Sequence, residues 1–328
     1  MDSVTQIALG AAITTACVPI EHRRKAVFIG AILGTTPDLD VFIDYGDAVS
    51  NFTYHRGFSH SLFVLIPFSL IVWVILKKYY DPVKSAPIPW LFAISLTLIT
   101  HPLLDAHTAY GTQLFWPLTT PPVMWSTIFI IDPLYTLPLL MGVIVVLVKP
   151  LSARAIKTLV VGIVISHVYL AWTWTAKFYI EYKVAESLTP ETQFISTFST
   201  PTPFNSLLWR VVVLQEKTYQ EGYYSLLSTN QSINFQTYSR NTDILNPAKE
   251  LASIKRLQWF AQDYISSSII NNFLVISDLR MGFEGNYVFN HAVAEMGNPH
   301  WHEIEGKLLP SQFGAEDLST LWNKFSDD

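Results

Sequence analysis

The chain has 328 residues, of which 50% are hydrophobic and only 14% are charged. Soluble domains carry about 25% charged residues, so this composition excludes a protein that is soluble along its whole length. The net charge of −5 is small and dispersed, which predicts no nucleic acid partner. With one cysteine, Cys17, the chain has no means of forming an internal disulfide.

Hydropathy divides the chain at about residue 180. Residues 1–180 are strongly apolar, whereas residues 181–328 have an ordinary polar composition. A membrane span needs about 20 apolar residues, and we predict a polytopic α-helical membrane domain of about six segments over 1–180. The segments are 7–20, 26–43, 61–76, 88–104, 128–148 and 159–176. The first two are short, and a tilted or re-entrant pair is the alternative for them.

Basic residues fall in alternate connections between these segments. Lysine and arginine cluster at 23–25, 77–84 and 149–157, while the opposite loops at 44–60 and 106–127 contain only Arg56. The positive-inside rule places the basic connections in the cytoplasm. We therefore predict a multi-pass protein whose two long loops and C-terminal region lie on the outer side.

The C-terminal region, residues 181–328, is predicted to be a soluble, extracytoplasmic α+β domain. Apolar residues at three- and four-residue spacing predict a helix over 247–264. Runs of β-branched and aromatic residues predict strands at 205–214, 222–228, 272–278 and 286–294.

Polar side chains gather at the outer ends of the predicted segments, in TPDLD (36–40), YHRGFSHS (54–61), THPLLDAH (100–107) and at Asp132. An ionisable group inside a membrane costs about 2.5–3.5 kcal/mol and is rarely without a role. Aspartate and histidine together bind borderline divalent metals, so zinc is expected first, with manganese or iron as alternatives.

Residue spacing suggests how these groups converge. His101 and Asp105 stand four apart, so on a helix they share one face. Pro37 favours a turn in TPDLD, and Gly57 permits YHRGFSHS to fold back. The candidate ligands are Asp38, Asp40, His55, His60, His101 and Asp105.

Two of these outer residues are also candidates for catalysis. If Asp40 is not a ligand, it is predicted to act as general base. Arg56 suits an anionic oxygen such as a phosphate, because its planar guanidinium matches that geometry.

Other interpretations of the same residues stay open. An aspartate could form a buried ion pair with Arg56. Asp132 could cap a helix that begins at Pro133, and His107 could lie at headgroup level as a loop residue. The glycines Gly30 and Gly34 favour a close helix contact. At the level of the whole protein, a structural metal site and a transporter are the alternatives to an enzyme.

The order of these motifs resembles the YdjM-like family of bacterial membrane-bound metal-dependent hydrolases. The resemblance is carried by MDSVTQIALGAA, TPDLD, YHRGFSHS, THPLLD, YGTQLFWP and IFIIDPLYTLPLL, and is strongest over residues 1–150. TPTPFNSLLWRVV is similar to longer members with an appended domain. Position 6 is Gln, where some members have His. The pattern of His101 followed by Asp105 is also faintly similar to zinc-dependent phospholipase C and P1-type nucleases.

The resemblance implies a bacterial inner-membrane location and metal-dependent hydrolysis, with the six candidate ligands as the matching motif positions. Headgroup depth favours a lipid or lipid-linked substrate, and we expect phosphoester hydrolysis at the outer leaflet. The bilayer is the one partner that the sequence predicts. The alternative is a non-catalytic membrane protein that binds or senses a ligand through its C-terminal domain.

Overall fold

The computed structural model describes residues 1–188, 193–228, 232–297, 300–311, 314, 319 and 321. The chain forms two compact units. Unit 1 consists of Met1–Phe42 and Arg56–Thr173, and unit 2 consists of Ile43–His55 and Trp174–Asp328. A short piece of the first long loop, Ile43–His55, therefore belongs to unit 2. The domain boundary predicted near residue 180 stays a prediction.

Helices dominate the N-terminal part of the chain. In chain order the α-helices are α1 (Ser3–Cys17), α2 (Arg23–Thr35), α3 (Ala48–Tyr54), α4 (Leu62–Tyr79), α5 (Asp81–Ser85), α6 (Pro87–Asp105), α7 (Pro133–Val148), α8 (Ala153–Ser187), α9 (Thr242–Leu245) and α10 (Ala252–Ala261). Short 3-10 segments lie at Ile20–His22, Pro37–Phe42, Phe58–His60 and Asn246–Ala248.

Within the described residues, three helices are long and apolar enough to cross a membrane: α4, α6 and α8. The prediction of about six spans is therefore not supported. Helices α1 and α7 are apolar but have 15 and 16 residues, and α2 has 13. At 1.5 Å per residue they reach about 20–24 Å, short of a hydrocarbon core of about 30 Å. The apolar run predicted at 26–43 ends its helix at Thr35 because the chain then turns into the Pro37–Phe42 segment.

Helices α1 and α2 of unit 1 pack with their backbones in close contact. A Cβ atom at Gly30 would lie 2.3 Å from the Gly10 carbonyl oxygen, and one at Gly34 would lie 2.5 Å from the Gln6 carbonyl oxygen. No larger residue fits at these positions without separating the helices. The close helix contact predicted from Gly30 and Gly34 is confirmed.

Unit 2 contains two four-stranded antiparallel sheets. The first has the order β1 (Ser196–Pro201), β2 (Leu208–Leu214), β3 (Thr218–Ser225) and β4 (Asn234–Ser239). The second has the order β5 (Ile265–Ile270), β6 (Phe273–Asp278), β7 (Asn290–Met296) and β8 (Trp301–Leu308). Each strand pairs with its neighbour in sequence, so both sheets are simple meanders.

The structure corrects the α+β class predicted for the C-terminal region. Its two sheets make the region a β domain, and the ten-residue helix α10 lies between the two sheets in sequence. The four predicted strands overlap β2, β3, β6 and β7, and the predicted helix contains α10. Strands β1, β4, β5 and β8 were not predicted. In β1, β4 and β5 the serine, threonine and glutamine content hides the apolar alternation on which strand prediction depends, and in β8, WHEIEGKL, charged residues and histidine have the same effect.

Candidate metal centre

Four carboxylate and imidazole side chains of unit 1 converge on one point: Asp38, His60, His101 and Asp105. Asp38 comes from the Pro37–Phe42 segment, and His60 is the last residue of the Phe58–His60 segment, two residues before α4 begins. His101 and Asp105 project from the last turn of α6. The prediction that this pair lies on one helix face, one turn apart, is confirmed.

The donor atoms are close enough to share one ion. His60 Nε2 lies 3.1 Å from His101 Nε2, 3.1 Å from Asp105 Oδ2 and 3.3 Å from Asp38 Oδ1. His101 Nε2 lies 3.5 Å from Asp105 Oδ2 and 3.4 Å from Asp38 Oδ1. All four donors lie within 4.8 Å of one another.

The hydrogen bond at Nδ1 of each imidazole decides which ring nitrogen carries the proton and which faces the cluster. His101 Nδ1 lies 2.6 Å from the Gly34 carbonyl oxygen, which only accepts, so Nδ1 carries the proton. Ser59 Oγ donates its single proton to Asp40, so His60 Nδ1 donates to Ser59 Oγ at 2.9 Å. In the neutral imidazoles both Nε2 atoms therefore present lone pairs to the centre.

Asp105 is held from one side and left open on the other. Its Oδ1 accepts from Gln6 Nε2 at 3.0 Å and contacts the amino nitrogen of Met1. Among the described residues its buried Oδ2 makes no hydrogen bond of good geometry, although Arg56 Nε lies 3.4 Å away. The Met1 amino group and Arg56 place positive charge beside the carboxylate, but a buried oxygen without a hydrogen-bond donor still costs free energy.

This donor set fits a divalent cation. Lone pairs and carboxylate oxygens that face one another at 3.1–3.5 Å repel unless a proton or a metal ion lies between them. Zinc bonds to nitrogen and oxygen are about 2.0–2.2 Å, so the edges of a tetrahedral site measure about 3.3–3.6 Å. The hydrogen bonds behind His60 and His101 are the outer contacts that metal-binding histidines ordinarily have.

One side of the cluster is accessible. His60, His101 and Asp105 are buried, whereas the Asp38 side chain keeps 21% of its surface exposed. The residues that follow Asp38 expose apolar side chains, with Val41 at 65% and Phe42 at 83%. The segment that carries Asp38 thus also exposes an apolar surface.

Comparison with known proteins identifies the N-terminal part of the chain. Residues 1–180, more than half of the sequence, match the sequence profile of the family described as YdjM inner membrane protein. The chain belongs to the YdjM inner membrane protein family. The resemblance predicted from the motifs is confirmed for the family and its membrane, while hydrolysis belongs to the proposal below.

Two bacterial proteins are similar to part of the chain. YfhP of Bacillus subtilis (strain 168), described as an uncharacterized protein, is 30% identical over 109 residues, 33% of either chain. The inner membrane protein YbcI of Escherichia coli (strain K12) is 34% identical over 94 residues, 28% of this chain and 52% of YbcI. The chain thus spans about a third and about half of these relatives. No solved structure matches it.

Two further predicted site residues of this YdjM protein lie behind the ligands. Asp40 is buried, and its Oδ2 accepts from Arg56 N at 2.9 Å and from Ser59 Oγ at 2.6 Å. It lies 3.7 Å from His60 Nδ1, on the side away from the centre. Arg56 is also buried, donates to Thr108 Oγ1 at 3.1 Å and stacks on the Tyr110 ring. Both groups contact ligands rather than forming part of the four-residue cluster.

The remaining histidine and aspartate candidates are not part of the cluster. His55, predicted as a ligand, caps α3 in unit 2 and is not among the four converging residues. Asp132 is the N-cap of α7, accepting from Leu134 N at 2.9 Å, so the cap interpretation is confirmed. His107 Nδ1 bonds the Leu103 carbonyl oxygen within its own turn, at 2.8 Å.

Sequence reasoning missed two residues that support the YdjM cluster. Gln6 Nε2 binds both Asp105 Oδ1 and, at 3.2 Å, the His101 carbonyl oxygen. An amide inside an otherwise apolar helix was a usable signal, because polar groups in such helices are costly. Ser59 links Asp40 to His60, and nothing in its sequence context distinguishes it from an ordinary loop serine.

Proposed function

We propose that this YdjM protein is a membrane-embedded, divalent-metal-dependent hydrolase. The observation that carries the proposal is the convergence of two imidazole nitrogens and two carboxylate oxygens, with Asp38 open to the surroundings. A catalytic metal site needs such an accessible side, because substrate and water must reach the ion.

Asp38, His60, His101 and Asp105 would hold the cation, with zinc the first candidate and manganese or iron the alternatives. Bound there, it would supply Lewis acidity and activate water at neutral pH. Gln6 fixes the Asp105 carboxylate by a hydrogen bond, Arg56 places positive charge beside it, and Ser59 and Asp40 fix the His60 ring.

The role of Asp40 as general base stays a prediction. Its carboxylate is buried and already accepts hydrogen bonds from Arg56 N and Ser59 Oγ. In this arrangement Asp40 orients His60 through Ser59, and a proton would have to reach Asp40 through the same serine hydroxyl.

A lipid or lipid-linked phosphoester is the proposed substrate class. His60 lies two residues before the start of α4 and Asp105 ends α6, so the cluster lies at the ends of two candidate spans, where headgroups are found. The exposed Val41 and Phe42 give the approach an apolar surface suited to acyl chains. The positive charge of Arg56 beside Asp105 favours an anionic group at the centre.

An outer-leaflet site is part of the same proposal. Lys77 and Lys78 lie in the last turn of α4, and Lys84 lies in α5, at the opposite ends of α4 and α6 from the cluster. The positive-inside rule assigns that end to the cytoplasm, which puts the cluster outside. An extracytoplasmic C-terminal domain in a bacterial inner membrane requires that the 16-residue helix α7 crosses as well, because α4, α6 and α8 alone would return the chain to the cytoplasm.

Hydrolysis is tested on the full chain purified in detergent and loaded with zinc, manganese or iron. The substrates are bis-(p-nitrophenyl) phosphate and phospholipids in mixed micelles. We expect metal-dependent release of product that is lost in His101→Ala and kept in Thr100→Ala, since the Thr100 hydroxyl bonds only the backbone of its own helix. Metal-loaded protein that hydrolyses none of these substrates would contradict the proposed reaction class.

A structural metal site is the second candidate, favoured by one observation. Four protein donors would be enough to fill the coordination shell of a zinc ion, which is the usual arrangement of structural zinc. Asp38→Ala separates the two candidates. A catalytic site that loses this accessible ligand keeps its fold but loses activity, whereas a structural site shows a large fall in Tm and no activity in either form.

A further inference from the structure

Unit 2 contains a cleft that the proposed metal chemistry does not use. Its volume is about 310 Å³, and residues of β3 to β6 line it together with the turn before β7. This is the lower end of the range for small-molecule sites, which is about 300–1,000 Å³. The cleft therefore has room for one or two rings of a small ligand.

One wall of the cleft carries serine hydroxyls. Ser266 and Ser268 alternate along β5, and Ser277 of β6 pairs with Ser266 across the sheet. Ser277 Oγ donates to Asn290 Oδ1 at 2.6 Å. The hydroxyls of Ser266 and Ser268 make no hydrogen bond within the described parts of the chain, so both can donate to and accept from a ligand.

The opposite wall rests on a buried polar network. Tyr219 is 1% exposed, and its hydroxyl bonds the Tyr287 hydroxyl at 2.8 Å and the Glu284 carboxylate. Both phenols engage Glu284 Oε2, with Tyr287 at 3.3 Å. Among the described residues Glu284 Oε1 makes no hydrogen bond, so a fixed carboxylate oxygen at the surface is available as an acceptor.

The charge of the cleft restricts its ligand. Glu284 is its charged side chain, and none of the lining residues is lysine, arginine or histidine. A phosphate or carboxylate would meet a like charge and find no cation to balance it. A neutral ligand with many hydroxyl groups would instead donate to Glu284 and exchange hydrogen bonds with the serines.

We infer that this cleft binds a polyhydroxylated ligand, a saccharide unit, through Glu284 and the serines of β5. The site lies wholly in unit 2 and uses no residue of the metal cluster. The saccharide inference can therefore fail without affecting the proposed hydrolase, and the proposed hydrolase can fail without affecting this inference.

The test uses the full chain in a detergent without a sugar headgroup, such as lauryldimethylamine oxide. Maltotriose and tri-N-acetylglucosamine are titrated by saturation-transfer NMR and calorimetry, with putrescine as a cationic arm. We expect millimolar or tighter binding of at least one saccharide. Glu284→Gln and the double variant Ser266→Ala/Ser268→Ala should each weaken it by about tenfold, the effect of one charged or two neutral hydrogen bonds.

Glu250→Gln is the matched control, because Glu250 is an exposed carboxylate of unit 2 that pairs with Lys255 outside the cleft. It should leave saccharide binding unchanged. Three results would overturn the inference: no saccharide binding at millimolar concentration, binding of putrescine alone, or saccharide binding that the cleft variants leave intact.

Discussion

Replacing Ser59 by alanine tests whether the contacts behind His60 set the affinity of the cluster for metal. Ser59 Oγ donates to Asp40 Oδ2 at 2.6 Å and accepts from His60 Nδ1 at 2.9 Å. The alanine removes this acceptor, and Asp40 Oδ2, 3.7 Å from Nδ1, is too distant to replace it. The His60 ring would then lose a contact that fixes both its tautomer and its orientation.

The magnitude follows from what such outer contacts are worth. Removing the partner of a metal-binding histidine costs about 10- to 100-fold in metal affinity, which is about 1.4–2.7 kcal/mol. Asp40→Asn acts through the same serine and should fall in the same range. Because both changes interrupt one chain of hydrogen bonds, the double variant should lose little more than the worse single variant.

Zinc affinity is measured by competition with a chromophoric chelator, on protein purified in detergent. Thr100→Ala is the control: it removes a hydroxyl adjacent to His101 that bonds the Leu96 carbonyl oxygen at 2.7 Å and has no contact with the cluster. Zinc affinity in Ser59→Ala equal to that of the unaltered protein, or an equal loss in Thr100→Ala, would refute the reasoning.

Three further predictions concern stability. Gly30→Ala should lower the free energy of unfolding by about 1–3 kcal/mol, because its Cβ would lie 2.3 Å from the Gly10 carbonyl oxygen; an unchanged Tm would contradict this. Arg56→Gln should lower the Tm of chelator-treated protein and enlarge the rise in Tm on adding zinc, since Asp105 loses a neighbouring cation; an equal rise would count against it. Burial lowers the pKa of His291 to about 4, so stability should be complete above pH 6.5 and fall by about 3 kcal/mol as the pH drops to 4; His291→Phe should remove this slope in thermal melts.

Much of the metal cluster could be predicted because its chemistry is local in sequence. His101 and Asp105 were identified by helix spacing alone, and Asp38 and His60 by their place at the ends of apolar segments. Asp40 and Asp38 look equivalent in the sequence. Their difference in the structure comes from the 3-10 geometry of Pro37–Phe42, which turns one carboxylate to the centre and the other behind His60.

The number of spans and the class of the C-terminal domain could not be predicted from the sequence in this way. Composition locates apolar runs, but the length of each helix depends on where it ends, and α1 and α2 end earlier than their apolar runs. In unit 2, β5 has the sequence ISSSII, in which polar residues occupy inward and outward positions alike. Ser266 and Ser268 line a cleft, while Ser267 is buried and donates to the Asn241 carbonyl oxygen, so the usual alternation is missing.

The most direct test of the central claim is the metal content of the purified chain by mass spectrometry. We predict about one divalent ion per chain, lost in His101→Ala and in Asp105→Ala and retained in Thr100→Ala and His55→Ala. His55 serves as the histidine control because it is not among the four converging residues. Equal metal content in all four variants, or none in the unaltered protein after loading, would contradict the proposed centre.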